Sequence, residues 1–128
     1  MVILDTCVLL WLASDQSNLS AGARKAIEAH SNALFVSAIT GFEIAIKCRD
    51  RKLEIPLPVL DWFTEVLDFH GVRELPVTAR VAIASIELPR RHNDPCDRII
   101  LATAVINGMK IISCDRLLSQ YEQAEIIW

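Results

Sequence analysis

Short apolar runs of strand length alternate with longer helical patterns along this chain. The pattern predicts strands over residues 2–4, 34–36, 72–75, 111–112 and 125–128. It predicts helices over residues 8–12, 20–29, 39–50, 59–69, 78–88 and 95–106, with a short helix before the last strand. Thr78 can cap the helix over residues 78–88. Such alternation is typical of βαβ units, so we predict an α/β fold with a parallel sheet.

The helix that begins at Pro95 is the most apolar segment, and Gly108 can end it. Because it is apolar on all sides, we expect it to be buried. Trp11, Trp62 and Phe63 are expected in the core or in an interface rather than in base stacking.

Composition narrows the class of protein. The chain has 128 residues, of which 52% are hydrophobic and 23% charged, which suits one folded domain over residues 1–128. A net charge of -3 excludes a strongly basic nucleic-acid coat, so a polyanion would have to bind through a local basic patch or a cation.

Location and redox state are also expected from the sequence. No apolar run is long enough for a membrane span and no signal peptide is recognisable, so we expect a cytoplasmic protein. The four cysteines have neither zinc nor disulfide spacing and are expected to be reduced thiols.

Acidic residues fall where strands give way to helices. Asp5 and Asp115 follow strands, Asp94 and Asp97 open the apolar helix, and Glu43 lies in the helix after the second strand. Since ligand sites of open parallel sheets lie at the carboxyl edge, these carboxylates are expected to meet there. Each of them also has a purely local explanation, because an acid at a helix start commonly caps it or closes a capping box.

Glu43 carries a further signal. It shares a helical face with Ile39 and Ile46, where a carboxylate is costly unless it is paired or binds a metal. Lys47, one turn later, could pair with it instead. Clustered carboxylates without Cys or His ligands favour Mg²⁺ or Mn²⁺, and the matching chemistry is metal-assisted hydrolysis of a phosphodiester.

Basic and histidine residues are less specific. One basic cluster comprises Lys47, Arg49, Arg51 and Lys52, and a second comprises Arg90 and Arg91. Each is either a solvated face or a surface that steers phosphate. Arg98 could contact phosphate or hold a neighbouring carboxylate. The three histidines are expected to be structural, and His92, just before Asp94, is the best of them for a role in the site.

Four segments together resemble the PIN domain family, in particular its VapC-type toxins. They are the strand leading into Leu4-Asp5-Thr6, Ser37 to Ile44 with Glu43, His92 to Ala104 with Asp94-Pro95-Cys96-Asp97-Arg98, and Ile111 to Asp115. Cys96 stands where an aromatic residue is usual, and Ser113 where Thr is common. The resemblance covers essentially the whole chain.

The resemblance implies an α/β/α sandwich around a parallel sheet of four or five strands. It implies a metal-dependent endoribonuclease in which Asp5, Glu43, Asp97 and Asp115 bind Mg²⁺ or Mn²⁺. Asp94 would support the loop or the outer shell of the metal, and the hydroxyls of Thr6 and Ser113 would orient waters or accept hydrogen bonds in that outer shell. Members of this type are toxins neutralised by a small VapB-like antitoxin, and they commonly form homodimers.

Two other functions are open on the sequence. A catalytically inactive PIN-like module would use the acidic edge only to bind a partner protein or RNA. A phosphoacceptor domain would need a paired acidic cluster at the first strand and a lysine at the end of a strand, and Lys110 lies before a strand instead.

Overall fold

Five short strands form one parallel sheet in the computed structural model, which covers residues 1–128. They are β1 (Val2–Leu4), β2 (Leu34–Ser37), β3 (Val72–Leu75), β4 (Lys110–Ile112) and β5 (Ile126–Ile127). The strand order is β3-β2-β1-β4-β5, and every neighbouring pair is parallel. The predicted parallel sheet is confirmed, and β1 is its central strand.

Six α-helices connect the strands. They are α1 (Thr6–Ala13), α2 (Ala21–Ala29), α3 (Ala38–Arg49), α4 (Val59–His70), α5 (Ala79–Glu87) and α6 (Pro95–Asn107). The short helix expected before β5 is a single 3₁₀ turn at Leu118–Gln120. None of the helices has both the length and the apolar character that a membrane span requires.

Alternating residues of the strands build two cores, one on each face of the sheet. Val2 and Leu4 of β1 belong to the core that α1, α2, α3 and α4 cover. Ile3, between them, belongs to the second core, together with Ile100 and Leu101 of α6. Because both faces are apolar, both must be covered by helices, and this produces the expected three-layer α/β/α sandwich.

Helix ends follow the predicted signals. Thr78 caps α5 through its side chain, and Gly108 ends α6 in the left-handed region with φ of 64°. The expected burial of α6 is confirmed at Ile100, Leu101, Ala102 and Ala104, while Val105 is 39% exposed. Trp62 and Phe63 lie in the core, while Trp11 packs beside Trp128 with ring centroids 5.8 Å apart.

Candidate metal centre

The carboxyl ends of β1 and β4 bring two of the predicted acids together. Asp5 follows β1 directly and is only 6% exposed. The Ser113 hydroxyl, just beyond β4, donates to Asp5 Oδ2 at 2.6 Å and accepts the backbone N–H of Asp115 at 3.0 Å. One hydroxyl therefore connects the two acids, as the adjacency of β1 and β4 in a parallel sheet requires.

Glu43 and Asp97 reach the same place from helices α3 and α6. Thr6 Oγ1, at the start of α1, donates to Glu43 Oε1 at 2.7 Å. Carboxylate oxygens of Glu43, Asp94 and Asp97 lie within 4.8 Å of one another, and an oxygen of Asp97 lies equally close to one of Asp115. The four acids predicted to bind a metal thus converge at one edge of the sheet.

Burial, together with the negative charges of neighbouring acids, raises the pKa values of three of these acids. Burial is the largest cause for Asp5, Glu43 and Asp97 alike. The negative charges of Asp5, Asp94 and Glu43 add to it at Asp97, whose pKa rises to about 7. Buried carboxylates this close together destabilise the protein unless protons or a cation neutralise them.

Asp115 behaves differently from the other three. Burial acts to raise its pKa, but hydrogen bonds from His92 and from the backbone N–H of Leu117 outweigh burial, so the pKa lies below its ordinary value. Its side chain is 27% exposed, against 13% for Asp97. Asp115 is therefore the acid that keeps its negative charge most easily.

Helix capping explains Asp94 but not Asp97 or Glu43. Asp94 caps α6, since its side chain accepts the Cys96 N–H at 2.9 Å. Asp97 closes no capping box, because the backbone N–H of Asp94 donates to His92 Nδ1 at 3.1 Å instead. Glu43 closes none either, because α3 begins at Ala38 and its carboxylate accepts from Thr6.

His92 is the site residue that sequence reasoning underrated. It is buried at 9% exposure, and its Nε2 lies 2.9 Å from Asp97 Oδ2 and 2.9 Å from Asp115 Oδ2. The only sequence signal was its place two residues before Asp94. The loop that turns its ring back onto the acids has no recognisable periodicity, so the contact was not foreseen.

Arg98 makes no contact with a carboxylate. Its guanidinium is buried and donates to the backbone carbonyls of Ile86, Leu88, Pro89 and His92 and to the Tyr121 hydroxyl, over distances of 2.8–3.4 Å. These contacts hold the segment between α5 and α6. The contact with a neighbouring carboxylate that was considered from the sequence is not among its hydrogen bonds.

The first basic cluster divides into two parts. Lys47 forms no ion pair with Glu43; instead Lys47 and Lys52 line a cavity of about 250 Å³ together with Glu43 and Asp94. Arg49 is exposed and pairs with neighbouring Asp50 at 2.9 Å, as a solvated residue does. In the second cluster, Arg91 donates to the Gln120 carbonyl at 3.3 Å.

Known proteins match this chain over nearly its whole length. The family model for the PIN domain matches residues 2–123. The chain is 35% identical over 121 residues to Ribonuclease VapC22 of Mycobacterium tuberculosis (strain ATCC 25618 / H37Rv). The aligned region covers 94% of this chain and 91% of that protein.

Solved structures share the fold at lower sequence identity. VapBC2 from Rickettsia felis, bound to a DNA fragment from its promoter, has a TM-score of 0.70 at 10% identity and covers 98% of this chain and 97% of its own. DNA-bound VapBC from Salmonella typhimurium has a TM-score of 0.69 at 19% identity, covering 98% and 95%. These structures share the fold of this chain, and the match of the family model over residues 2–123 shows that the chain belongs to the PIN domain family. Within that family it is similar to VapC22, as the resemblance of its motifs indicated.

Proposed function

We propose that this protein is a Mg²⁺- or Mn²⁺-dependent endoribonuclease and the toxin of a toxin–antitoxin pair. The observation that carries the proposal is the convergence of four acids, from positions 5, 43, 97 and 115, at one edge of the sheet. The 35% identity to a protein named as a ribonuclease supports RNA as the substrate.

The residues present fit a hard divalent cation. Asp5, Glu43, Asp97 and Asp115 would hold it, and all offer carboxylate oxygens, the donors that Mg²⁺ and Mn²⁺ prefer. The raised pKa values of three of them supply an electrostatic reason for a positive charge at this place. When bound, such an ion would polarise a phosphate oxygen and lower the pKa of water.

Side chains around the acids prepare the site. The Ser113 hydroxyl occupies one oxygen of Asp5, and the Thr6 hydroxyl occupies one oxygen of Glu43. These hydrogen bonds fix the orientation of both carboxylates. Lys47 and Lys52 place positive charge in the cavity beside Glu43, where they would hold the RNA backbone without reading its sequence.

The activity is tested by incubating the purified protein with RNA in the presence of Mg²⁺, of Mn²⁺ or of EDTA. We expect internal cleavage with either metal and none with EDTA. RNA binding without cleavage under every condition would instead support the catalytically inactive module. Contaminating nuclease is controlled by carrying Asp5→Asn protein through the same purification.

Partners are the second part of the proposal. VapBC complexes among the structures of the same fold support a small VapB-like antitoxin and a homodimer for this chain. Co-expression with the small reading frame beside the gene should give a complex of both chains that no longer cleaves RNA. Light scattering of the protein alone should give twice its monomer mass of 14.3 kDa. A monomeric mass would remove the homodimer from the proposal, and a neighbour that neither co-purifies nor inhibits would remove the antitoxin.

A further inference from the structure

The His92 ring lies between two acids of the site that approach from different elements. Asp97 lies in the first turn of α6 and Asp115 in the loop after β4. Both present Oδ2 to the same ring nitrogen, Nε2, at 2.9 Å. By distance alone, these three atoms form a group that can hold a metal ion, with histidine as one ligand.

The other ring nitrogen decides between a ligand and a hydrogen-bond donor. His92 Nδ1 lies 3.1 Å from the backbone nitrogen of Asp94, whose N–H donates to it. Nδ1 therefore provides a lone pair, and the ring hydrogen is on Nε2. Coordination through Nε2 would require that hydrogen to move to Nδ1, where it would face the Asp94 N–H and break this hydrogen bond.

We propose that His92 is a positioning residue that donates its Nε2–H to Asp115, with Asp97 Oδ2 held 2.9 Å from the same nitrogen, and is not itself a metal ligand; this rests on the proposed metal-dependent function. Its donation occupies Oδ2 of Asp115. Asp115 Oδ1 accepts the Leu117 N–H at 2.8 Å and keeps a second lone pair, so this carboxylate is held at both oxygens and can still offer one to a cation.

Arg98 holds the backbone of the loop that carries His92. Its Nη1 donates to the His92 carbonyl at 3.2 Å and to the Pro89 carbonyl at 2.9 Å, which fixes the loop on which His92 lies. Asp97 and Arg98 are adjacent in sequence, so one turn of α6 holds His92 by its main chain and is itself held by the His92 side chain. The site consequently keeps an all-oxygen donor set.

The tautomer is tested directly by ¹⁵N NMR of the histidine rings in the full chain, without metal and with Mg²⁺. We expect the Nε2–H form of His92 in both states, with the signal assigned by its loss in His92→Gln. An Nδ1–H form in the Mg²⁺-loaded protein would overturn the proposal. This measurement needs neither RNA nor activity.

Metal affinity provides the second test, by titration of Mn²⁺ and of Zn²⁺ into wild type and two variants. In His92→Ala we expect both affinities to fall by a similar factor, about 10- to 100-fold, as for loss of an outer-shell partner. In His92→Gln, whose amide can donate in place of Nε2–H, we expect most of the Mn²⁺ affinity to return. His70→Ala, in the separate cavity beside Trp62 and Phe69, serves as the control and should bind as wild type.

A Zn²⁺ affinity that falls far more than the Mn²⁺ affinity would mean that His92 is a ligand, because imidazole binds zinc well and manganese poorly. Unchanged Mn²⁺ binding in His92→Ala would also overturn the proposal. Cleavage of RNA by the wild type is measured in parallel. A wild type that binds metal but does not cleave contradicts the proposed function and leaves the test of His92 intact.

Discussion

The acids of the site are held by two different kinds of hydrogen-bond donor, hydroxyls in one half and an imidazole in the other. In the hydroxyl half, Asp5 and Glu43 each receive a separate hydrogen bond, from Ser113 and from Thr6. In the imidazole half, Asp115 accepts the Nε2–H of His92, and Asp97 Oδ2 lies 2.9 Å from the same nitrogen. The hydroxyl donors lie at the junctions of strands and helices, whereas His92 lies in a loop that Arg98 holds in place.

The difference shows in the charge that each acid can keep. These hydrogen bonds do not prevent Asp5 or Glu43 from having a raised pKa, because burial outweighs the two that Asp5 accepts, from Ser113 and the Thr6 N–H, and the one that Glu43 accepts. The two acids beside His92 form an unequal pair: the pKa of Asp97 rises to about 7 because of burial and neighbouring negative charges, while hydrogen bonds hold that of Asp115 below its ordinary value. We infer that orientation, more than charge stabilisation, is what the donors supply, and that the charge is left for a cation.

The largest effect should come from removing one carboxylate in each half. We expect Asp5→Asn and Asp97→Asn each to lower the rate of RNA cleavage by at least about 100-fold, since even outer-shell partners of a metal are worth 10- to 100-fold. Cleavage assays at saturating Mg²⁺ measure this, with circular dichroism to show an intact fold. Asp61→Asn, an exposed acid in α4, is the matched control and should cleave as wild type. Undiminished cleavage by both site variants would exclude the proposed centre.

The second largest effect should be a dependence of folding stability on pH, which a bound metal ion removes. The unfolded carboxyls ionise near their ordinary pKa values, whereas folded Asp5, Glu43 and Asp97 hold protons to higher pH. The metal-free folded state thus binds more protons than the unfolded state, and its stability should fall as pH rises from 3.8 toward about 7, the interval spanned by Asp97. Because a cation replaces those protons, Mn²⁺ should raise Tm more at about pH 8 than at about pH 5, and EDTA should reverse the gain.

Measuring Tm across that pH range, with and without Mn²⁺, tests this prediction. The Asp97→Asn variant tests whether Asp97 is the acid responsible. That variant removes the acid whose pKa rises to about 7, so its metal-free form should be more stable than wild type at neutral pH and should gain less from Mn²⁺. An equal Mn²⁺ gain at both pH values would contradict the electrostatic account.

Smaller losses are expected when a hydroxyl is removed and its acid is kept. Ser113→Ala and Thr6→Val should lower cleavage by about 10-fold, because the carboxylate remains but loses its fixed orientation. Single-turnover kinetics measure the loss, and Ser119→Ala, whose exposed hydroxyl bonds the Arg116 carbonyl, is the control. Losses as large as those of the acid variants would show that the hydroxyls touch substrate or metal directly.

The smallest effect should be found at Asp94, which caps α6. Asp94→Ala removes the side-chain acceptor of the Cys96 N–H and should lower the free energy of unfolding by about 1 kcal/mol, measured with urea. Asp94→Asn keeps an acceptor oxygen and should be close to wild type in stability. If Asp94→Asn nevertheless lost metal affinity, the carboxylate beside Glu43 and Asp97 would belong to the metal centre.

Local pattern was enough to determine the layers of this protein and the position of two acids. Apolar residues on both faces of β1 and β2 require helices on both sides of the sheet. The apolar strands and the helices between them can both be recognised in the sequence pattern. Asp5 and Asp115 could be placed at the carboxyl edge because each follows a strand, and strand ends in a parallel sheet share one edge. Thr78, Asp94 and Gly108 marked helix ends for equally local reasons.

Only the tertiary structure decided which donor serves which acid. Lys47, one turn from Glu43, was a plausible partner by spacing, yet Glu43 accepts from Thr6, which is 37 residues away. Arg98 is adjacent to Asp97 in sequence but donates to carbonyls of the preceding loop. His92 meets Asp115 across 23 residues through an irregular loop. Helical and strand periodicity arise from the backbone repeat of neighbouring residues, whereas these contacts depend on how separate elements pack, and no repeat in the sequence records that.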